Sequence, residues 1–356
     1  MTIATQRAVR STVPLVDDDH EQVVVRQDPD SGLRFIVAVH STVLGPALGG
    51  MRLKRYPGGL REALEDVMGL ARTMTLKASA VGLDLGGGKS VMIDDGVPDQ
   101  REARLEIAAK VIDALDGAYI TAEDIGTSTT DMDHLARFTR YVTGRSVELG
   151  GRGDPSPVTA ESVFQALRRG LYAATGSADI DGRRIGIVGL GKVGYVLASR
   201  LAQAGAQVVA CDLDPERSER FASEEGGDIA PSAEAIMATE LDVLAPCAAG
   251  GLIDDALACS IDCRVIVGAA NNPLTSRAVA RVLAERGILY VPDFLANCGG
   301  LIHVSLEWHR RGGEDELIAR AMERLDRALV TAEAEDSTPL DVAERHALER
   351  VEAARR

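Results

Sequence analysis

Arg184-Ile185-Gly186-Ile187-Val188-Gly189-Leu190-Gly191-Lys192-Val193-Gly194 is the stretch on which the reading of this chain turns. Its first five residues have the apolar, β-branched character of a buried strand. An apolar-periodic segment then runs to Ala204, where Gly205 supplies a helix stop. The next strand pattern, Gln207 to Ala210, is followed by Asp212, 18 residues after Gly194. A bare GxGxxG carries little weight. Strand, glycines, helix, strand and acid in that order make the dinucleotide-binding fingerprint. Gly189 would make the tight turn, Gly191 would admit a pyrophosphate, and Gly194 would let helix and strand pack. Leu190, Lys192 and Val193 would present their backbone at the helix N-terminus, where free N–H groups and the dipole favour an anion. An acid at Asp212 would accept from the adenosine ribose hydroxyls and repel a 2′-phosphate, which favours NAD over NADP.

Outward from this stretch the alternation continues. Strands are predicted at Asp242 to Ala245, Val265 to Val267 and Ile288 to Val291, and helices at Pro215 to Glu225 and Thr275 to Arg286. The turns after two of these strands, Pro246-Cys247-Ala248 and Ala269-Ala270-Asn271-Asn272, would face the ligand crevice of a doubly wound sheet. Upstream, Gly150-Gly151-Arg152-Gly153-Asp154-Pro155-Ser156-Pro157 is the best domain boundary in the chain. A connecting helix follows, Thr159 to Tyr172. The fold expected is α/β with two domains. Residues 1–150 would form an α/β substrate and oligomerisation domain, 151–325 a Rossmann-type NAD domain, and 326–356 charged helices that return to the first domain.

The first domain opens with two β-rich runs, Glu21 to Gln27 and Leu33 to His40, split by the turn cluster Asp28-Pro29-Asp30-Ser31-Gly32. Leu44 to Arg52 is glycine-rich and without a period, so it reads as an irregular segment that lines something. Leu60, Leu64, Val67, Ala71 and Met74 mark a helix, and Val91-Met92-Ile93 a strand. Between them Lys77 and Lys89 flank a loop that carries Gly86, Gly87 and Gly88. Asp99 to Leu115 reads as a helix, Ala118 to Thr121 as a strand, and Ser128-Thr129-Thr130-Asp131 as a helix start. Two lysines in a dry loop depress each other's pKa, through like charge and desolvation, toward a working range. They could serve as an anion clamp and a catalytic amine, with Asp124 after the strand as a proton shuttle.

The 356 residues carry a net charge of −15 and no Lys/Arg cluster of nucleic-acid type, so nucleic acid and anionic membrane surfaces are poor partners. A small anion remains possible, because a local lysine pair outweighs distant charge screened by salt. No apolar run reaches the ~18 residues of a membrane span. The N-terminus lacks an apolar core of signal-peptide length, and its first dozen or so residues are expected to be poorly ordered. Five cysteines without a CxxC pair argue against a disulfide framework or structural zinc, and fit a reducing cytoplasm. Six histidines show no ligand spacing, so no metal is expected. Gly86-Gly87-Gly88-Lys89-Ser90 tempts a phosphate-loop assignment. That motif needs a glycine where Leu83 stands, a strand before it and a helix after it, and the order here is reversed.

Several of these segments together resemble the glutamate/leucine/phenylalanine/valine dehydrogenase family, closest to the leucine and valine enzymes. They are Leu44-Gly45-Pro46-Ala47-Leu48-Gly49-Gly50, Met74-Thr75-Leu76-Lys77, Gly82 to Lys89, Thr121 to Thr127 and Gly268-Ala269-Ala270-Asn271-Asn272, in order over nearly the whole chain from Glu21. The resemblance implies an active site between a substrate domain and an NAD domain. The reaction implied is reversible oxidative deamination of an L-amino acid to a 2-oxo acid, ammonia and NADH. Lys77 would hold the substrate α-carboxylate near Gly49 and Gly50, Lys89 would be the catalytic lysine, and Asp124 would transfer protons. Asn271 would border substrate and nicotinamide, Thr159 would touch the nicotinamide side, and Ala248 would line the cofactor. The resemblance also implies a homo-oligomer formed through the first domain.

Pocket polarity separates substrates within the family. Its glutamate enzymes place a lysine and a hydroxyl where Leu48 and Val304 stand here, with Leu301 one turn back. An apolar pocket cannot compensate a desolvated carboxylate, so Leu, Val or Ile is expected over glutamate. A phenylalanine enzyme is the alternative within the family, and a non-catalytic NAD-binding protein the alternative outside it. The chain departs from the family at Val304-Ser305-Leu306-Glu307-Trp308, where an acidic pair is usual, and at Thr73, where glycine is usual.

Overall fold

Two sheets, one mixed and one wholly parallel, organise the chain. The computed structural model describes residues 19–96, 100–248, 250–309 and 313–356. The expected disordered leader lies outside the described residues, as does Asp99, where a helix was expected to begin.

The first sheet is built from β1 (Gln22–Asp28), β2 (Leu33–Ser41), β3 (Ala47–Lys54), β4 (Gly86–Ile93) and β5 (Tyr119–Glu123). Helices α1 (Gly59–Val81), α2 (Arg101–Asp113) and α3 (Thr129–Leu135) accompany it. The strand order is β1-β2-β4-β3-β5. The β1/β2 hairpin is antiparallel, with Gln22 opposite Val39 and Asp28 opposite Leu33. Its turn is fixed by Asp28, whose carboxylate accepts from Ser31 N at 3.0 Å and from Ser31 Oγ at 2.7 Å.

The irregular segment expected over Leu44 to Arg52 is a strand. From Ala47 on it forms β3, parallel to β4 on one side and to β5 on the other. No alternation was visible because both faces are covered: Ala47, Leu48 and Met51 are all buried. Strands buried on both faces do not alternate apolar with polar. The glycines in it are places of close approach. A Cβ on Gly50 would stand 2.7 Å from Asp124 Cβ.

The loop expected between Lys77 and Lys89 is also shorter than read. Helix α1 continues to Val81, so Lys77 is helical, and Lys89 lies in the middle of β4. Helix α1 buries Ala63, Leu64, Val67, Ala71, Thr75 and Ala78, a stripe at helical spacing. Burying a side chain such as Leu64 or Val67 stabilises the unit by about 1.5–3 kcal/mol relative to exposure. Gly87 lets the helix come down on the strand, since a Cβ there would collide with the backbone N of Thr75. Gly82, in the left-handed region at φ 89°, ends the helix and returns its N–H to Ala78 O.

Helix α4 (Ser156–Thr175) connects the two units. The second then alternates β6 (Arg184–Val188), α5 (Lys192–Gln203), β7 (Gln207–Cys211), α6 (Pro215–Glu225), β8 (Asp228–Ile229) and α7 (Ala233–Met237). It continues with β9 (Leu241–Pro246), α8 (Asp255–Ala258), β10 (Cys263–Ile266), α9 (Arg277–Glu285) and β11 (Leu289–Tyr290). All pairs are parallel, in the order β11-β10-β9-β6-β7-β8. This is the doubly wound arrangement of dinucleotide-binding domains, with its switch point between β6 and β9.

Four helices close the chain: α10 (Asp293–Ala296), α11 (Gly299–His309), α12 (Glu314–Glu335) and α13 (Pro339–Arg355). Helix α12 runs through residue 325 without a break. Helix α13 packs back on α1, where Ser79 Oγ donates to Ala347 O at 2.7 Å and Arg350 to Leu83 O at 2.8 Å. The unusual Glu307 is buried and holds the connector before α4. It accepts from Gly144 N at 3.0 Å, Arg145 Nε at 3.1 Å and Arg152 N at 3.2 Å. Trp308 stacks obliquely on Tyr141, ring centroids 6.0 Å apart.

Candidate active site

The carboxyl ends of β3 and β5 and the middle of β4 bring three charged side chains together. Lys89 Nζ lies 2.9 Å from Asp124 Oδ2, and the Lys89 side chain is only 8% exposed. Gly50 makes this possible: a Cβ there would also come within 3.3 Å of Lys89 Nζ. Asp124 is fixed by Thr127, whose Oγ1 accepts from Asp124 N at 2.9 Å and donates to Met51 O at 2.8 Å. Burial pushes the Lys89 ammonium below its usual pKa, and Asp124 opposes that only in part. Burial pushes Asp124 upward, but Lys89 and Arg52 outweigh it and hold the carboxyl below its usual range.

Arg52 is the third member, and the sequence reading gave it no role. Its Nε donates to Asp124 Oδ2 at 3.0 Å and its other arm pairs with Asp66 at 3.1 Å. Tyr56 donates to the same Asp66 at 2.6 Å. A signal was available: Arg52 stands two residues after Gly50, so both share one face once the segment is known to be a strand.

Lys77 lies on the opposite side of the site and reaches across to the second unit. Its Nζ donates to Asn297 Oδ1 at 2.6 Å and to Asn271 Oδ1 at 3.2 Å. Asn297, which follows α10, is buried and donates to Ala269 O at 3.1 Å and to Asn271 Oδ1 at 3.0 Å. The Asn271–Asn272 turn is braced by Asp293, which accepts from Asn272 N at 2.8 Å. Burial lowers the Lys77 pKa; Asp293 counters it and Lys89 adds to it.

The remaining expected substrate residues are apolar. Leu48 and Leu301 are buried in one continuous core, and half-buried Val304 packs on it. Thr159 sits at the start of α4 with its hydroxyl donating to Pro155 O at 2.9 Å, beside Gly300.

At the switch point the glycines divide their work as the fingerprint requires. Gly189 has φ 105°, and a Cβ on it would stand 2.8 Å from Ala248 N. A Cβ on Gly194 would collide with Gly189 O, so α5 packs directly on the turn. A Cβ on Gly191 would meet no atom within 4 Å among the described residues, and no side chain caps α5 there. Open space before free N–H groups fits a pyrophosphate. Asp212 follows β7 and accepts from Leu190 N at 2.6 Å and Asp214 N at 2.9 Å, which aims its carboxylate at the same turn. Lys192 faces the Asp124 loop across a cleft of about 360 Å³. The dinucleotide turn and the lysine–aspartate cluster therefore border one space.

Comparisons with known proteins agree with this layout. Residues 20–141 match the Glu/Leu/Phe/Val dehydrogenase dimerisation domain and residues 214–356 the Glutamate/Leucine/Phenylalanine/Valine dehydrogenase domain. Residues 160–246 match the NAD-binding domain of D-isomer specific 2-hydroxyacid dehydrogenases. Leucine dehydrogenase of Geobacillus stearothermophilus is 40% identical over 340 residues, 95% of this chain and 92% of that one. Valine dehydrogenase of Streptomyces virginiae is 42% identical over 342 residues, 94% of this chain and 95% of its own. The crystal structure of L-tryptophan dehydrogenase from Nostoc punctiforme superposes with a TM-score of 0.82 at 30% identity, covering 95% of this chain and 97% of that one.

Proposed function

Because the chain belongs to the glutamate/leucine/phenylalanine/valine dehydrogenase family, we propose that its cleft deaminates a branched-chain L-amino acid with Lys89 and Asp124 at the reacting centre. The enzyme is an NAD-dependent amino acid dehydrogenase, and its products are the 2-oxo acid, ammonia and NADH. The observation that carries the residue assignment is the pair of opposed clusters: Lys89 on Asp124 at 2.9 Å, and Lys77 held between Asn271 and Asn297.

The chemistry follows from these positions. Lys77 takes the substrate α-carboxylate as its anion. Asp124 accepts a proton from the substrate ammonium, so that the nitrogen lone pair can assist departure of hydride from Cα. When bound, NAD would supply the hydride acceptor, and Gly189, Gly191 and Gly194 would hold its pyrophosphate with Asp212 at the ribose. Lys89, as the neutral amine that burial favours, removes a proton from the water that adds to the imine carbon. Asp124 returns its proton to nitrogen and then takes the hydroxyl proton as ammonia departs, while protonated Lys89 stabilises the carbonyl oxygen as it forms. Asn271 would hold the nicotinamide amide from the second unit, and Thr159 would touch the nicotinamide.

Leu48, Leu301 and Val304 supply an apolar wall, which selects an aliphatic side chain and rejects a second carboxylate. Residues 1–150 are assigned to substrate binding and assembly, 151–325 to the cofactor, and 326–356 to the return onto the first domain, with α12 handing the chain from one to the other. A homo-oligomer through the first domain is supported by β1, an edge strand with Val25 45% exposed. Five unpaired cysteines support a reducing cytoplasm. Among the described residues no helix is long and apolar enough to cross a membrane. NADH absorbance with L-leucine, L-valine, L-isoleucine, L-phenylalanine and L-glutamate at alkaline pH tests the reading. Turnover is expected with the branched-chain substrates, and activity with none of the five overturns it.

A further inference from the structure

Away from the cleft, a second pocket of about 300 Å³ lies where α1, α10, α12 and α13 meet. This is the lower end of the roughly 300–1,000 Å³ typical of small-molecule sites. Its apolar floor includes Ala80 and Leu295, and its polar lining consists of Arg324, Arg327 and His346. No carboxylate lines it, although the chain has 54 acidic residues to 39 basic ones. Among the described residues neither Arg324 nor Arg327 makes an ion pair or a side-chain hydrogen bond, whereas most arginines of the protein have a carboxylate partner.

The end of α1 accounts for one nearby cation directly. Arg350 donates to Leu83 O at 2.8 Å and pairs with Asp84 at 2.7 Å, as a basic residue at a helix C-terminus does. Arg324 is partly buried and held close over Gly82. Burial, then Arg350 and Arg327, lower its pKa below the usual guanidinium value. Two guanidinium groups and an imidazole thus share a concave site, and among the described residues no carboxylate lines it.

We propose that this pocket binds a small phosphate-bearing ligand between Arg324, Arg327 and His346. Charge selects phosphate over a single carboxylate. A phosphate monoester carries about −1.5 to −2 at pH 7, which matches two guanidinium groups, and its oxygens accept from both forks at once. A lone carboxylate would leave one arginine as it is now. The apolar floor suits the carbon part of such a ligand. It also ties the pocket to the substrate site: Ala80 is one turn beyond Lys77 on α1, and Leu295 precedes Asn297, the partner of Lys77.

The test is calorimetric titration of inorganic phosphate into the full-length protein saturated with NAD, which fills the dinucleotide site, at constant ionic strength. Saturable binding is expected in the wild type. It should weaken by at least about tenfold in R324Q/R327Q and by less in R327Q, which alters one exposed residue. R320Q, on the same helix but paired with Glu316, should bind as the wild type does. Absence of saturable binding in the wild type, or equal binding in wild type and R324Q/R327Q, overturns the proposal. So does a change in assembly mass in R324Q/R327Q without phosphate binding to the wild type, which would assign these arginines to a contact with a second copy.

Discussion

Arg52 and Lys89 converge on one oxygen: Asp124 Oδ2 accepts from Arg52 Nε at 3.0 Å and from Lys89 Nζ at 2.9 Å. The carboxylate is thus shared between a cation that cannot titrate in the working range and one that the proposed mechanism requires to titrate. Arg52 is the cation that would hold Asp124 ionised when Lys89 gives up its charge.

R52Q is expected to move the ascending, acid-side limb of the pH profile of kcat/KM toward higher pH. Arg52 lowers the Asp124 pKa, so its loss raises that pKa and the acid limb, where Asp124 becomes protonated, shifts up. Arg52 also lowers the Lys89 pKa, so its loss raises the pH at which neutral Lys89 accumulates. The rate at the optimum should fall by up to about 10²-fold through misplacement of Asp124. A profile that keeps its shape and only loses amplitude would deny Arg52 this electrostatic role.

K89A and D124N should each lower kcat by roughly 10²–10⁴-fold, the usual span for removing a positioned acid or base. NAD affinity, measured by quenching of intrinsic fluorescence or by calorimetry, should be unchanged, because neither residue touches the glycine turn at 189–194. Wild-type turnover in either variant would remove that residue from the reacting centre.

D212N should relax cofactor choice. The carboxylate sits at the end of β7, where a 2′-phosphate would meet it. Removing one repulsive charge should raise the NADP to NAD ratio of kcat/KM by about tenfold, or about 1.4 kcal/mol. An unchanged ratio would show that Asp212 does not read the ribose.

E307A should be the most damaging of these for stability, by about 3 kcal/mol, because it removes a buried carboxylate and strands the partly buried Arg145 guanidinium and several backbone donors. Thermal unfolding in the presence and absence of NAD measures it. A loss under about 1 kcal/mol, the ordinary range for a surface ion pair, would show that water replaces the carboxylate without cost.

Most of the second sheet was legible because its signals are local. Residues 184–212 state strand, turn, helix, strand and acid within one short window, and Pro215–Glu225 carries its own start and stop. The first sheet was harder. β3 has neither alternation nor β-branched density, since both its faces are covered and its glycines mark contacts distant in sequence, Gly49 with Gly88 and Gly50 with Asp124 and Lys89. Lys89 and Asp124 could be named from the sequence, but Arg52, Asp66 and Asn297 could not be placed in the site. Their partners lie 72, 14 and 220 residues away, and only the folded register brings them together. Glu307 was noticed as unusual, and the structure supplies its task as the clasp of the connector.

The seat of α1 on β4 at Gly87 sets a fixed length. Lys77 stands on the helix and Lys89 on the strand, and neither element can slide while Thr75 rests on a residue without a side chain. The distance from the proposed carboxylate clamp to the proposed catalytic amine is therefore a gauge cut into rigid parts, indifferent to the side chain it measures. An amino acid whose carboxylate lies one carbon further from its amine-bearing carbon would grip the clamp and hold the wrong atom before Lys89. A β-amino acid with a leucine-like side chain is thus expected to compete with the substrate and to yield no NADH.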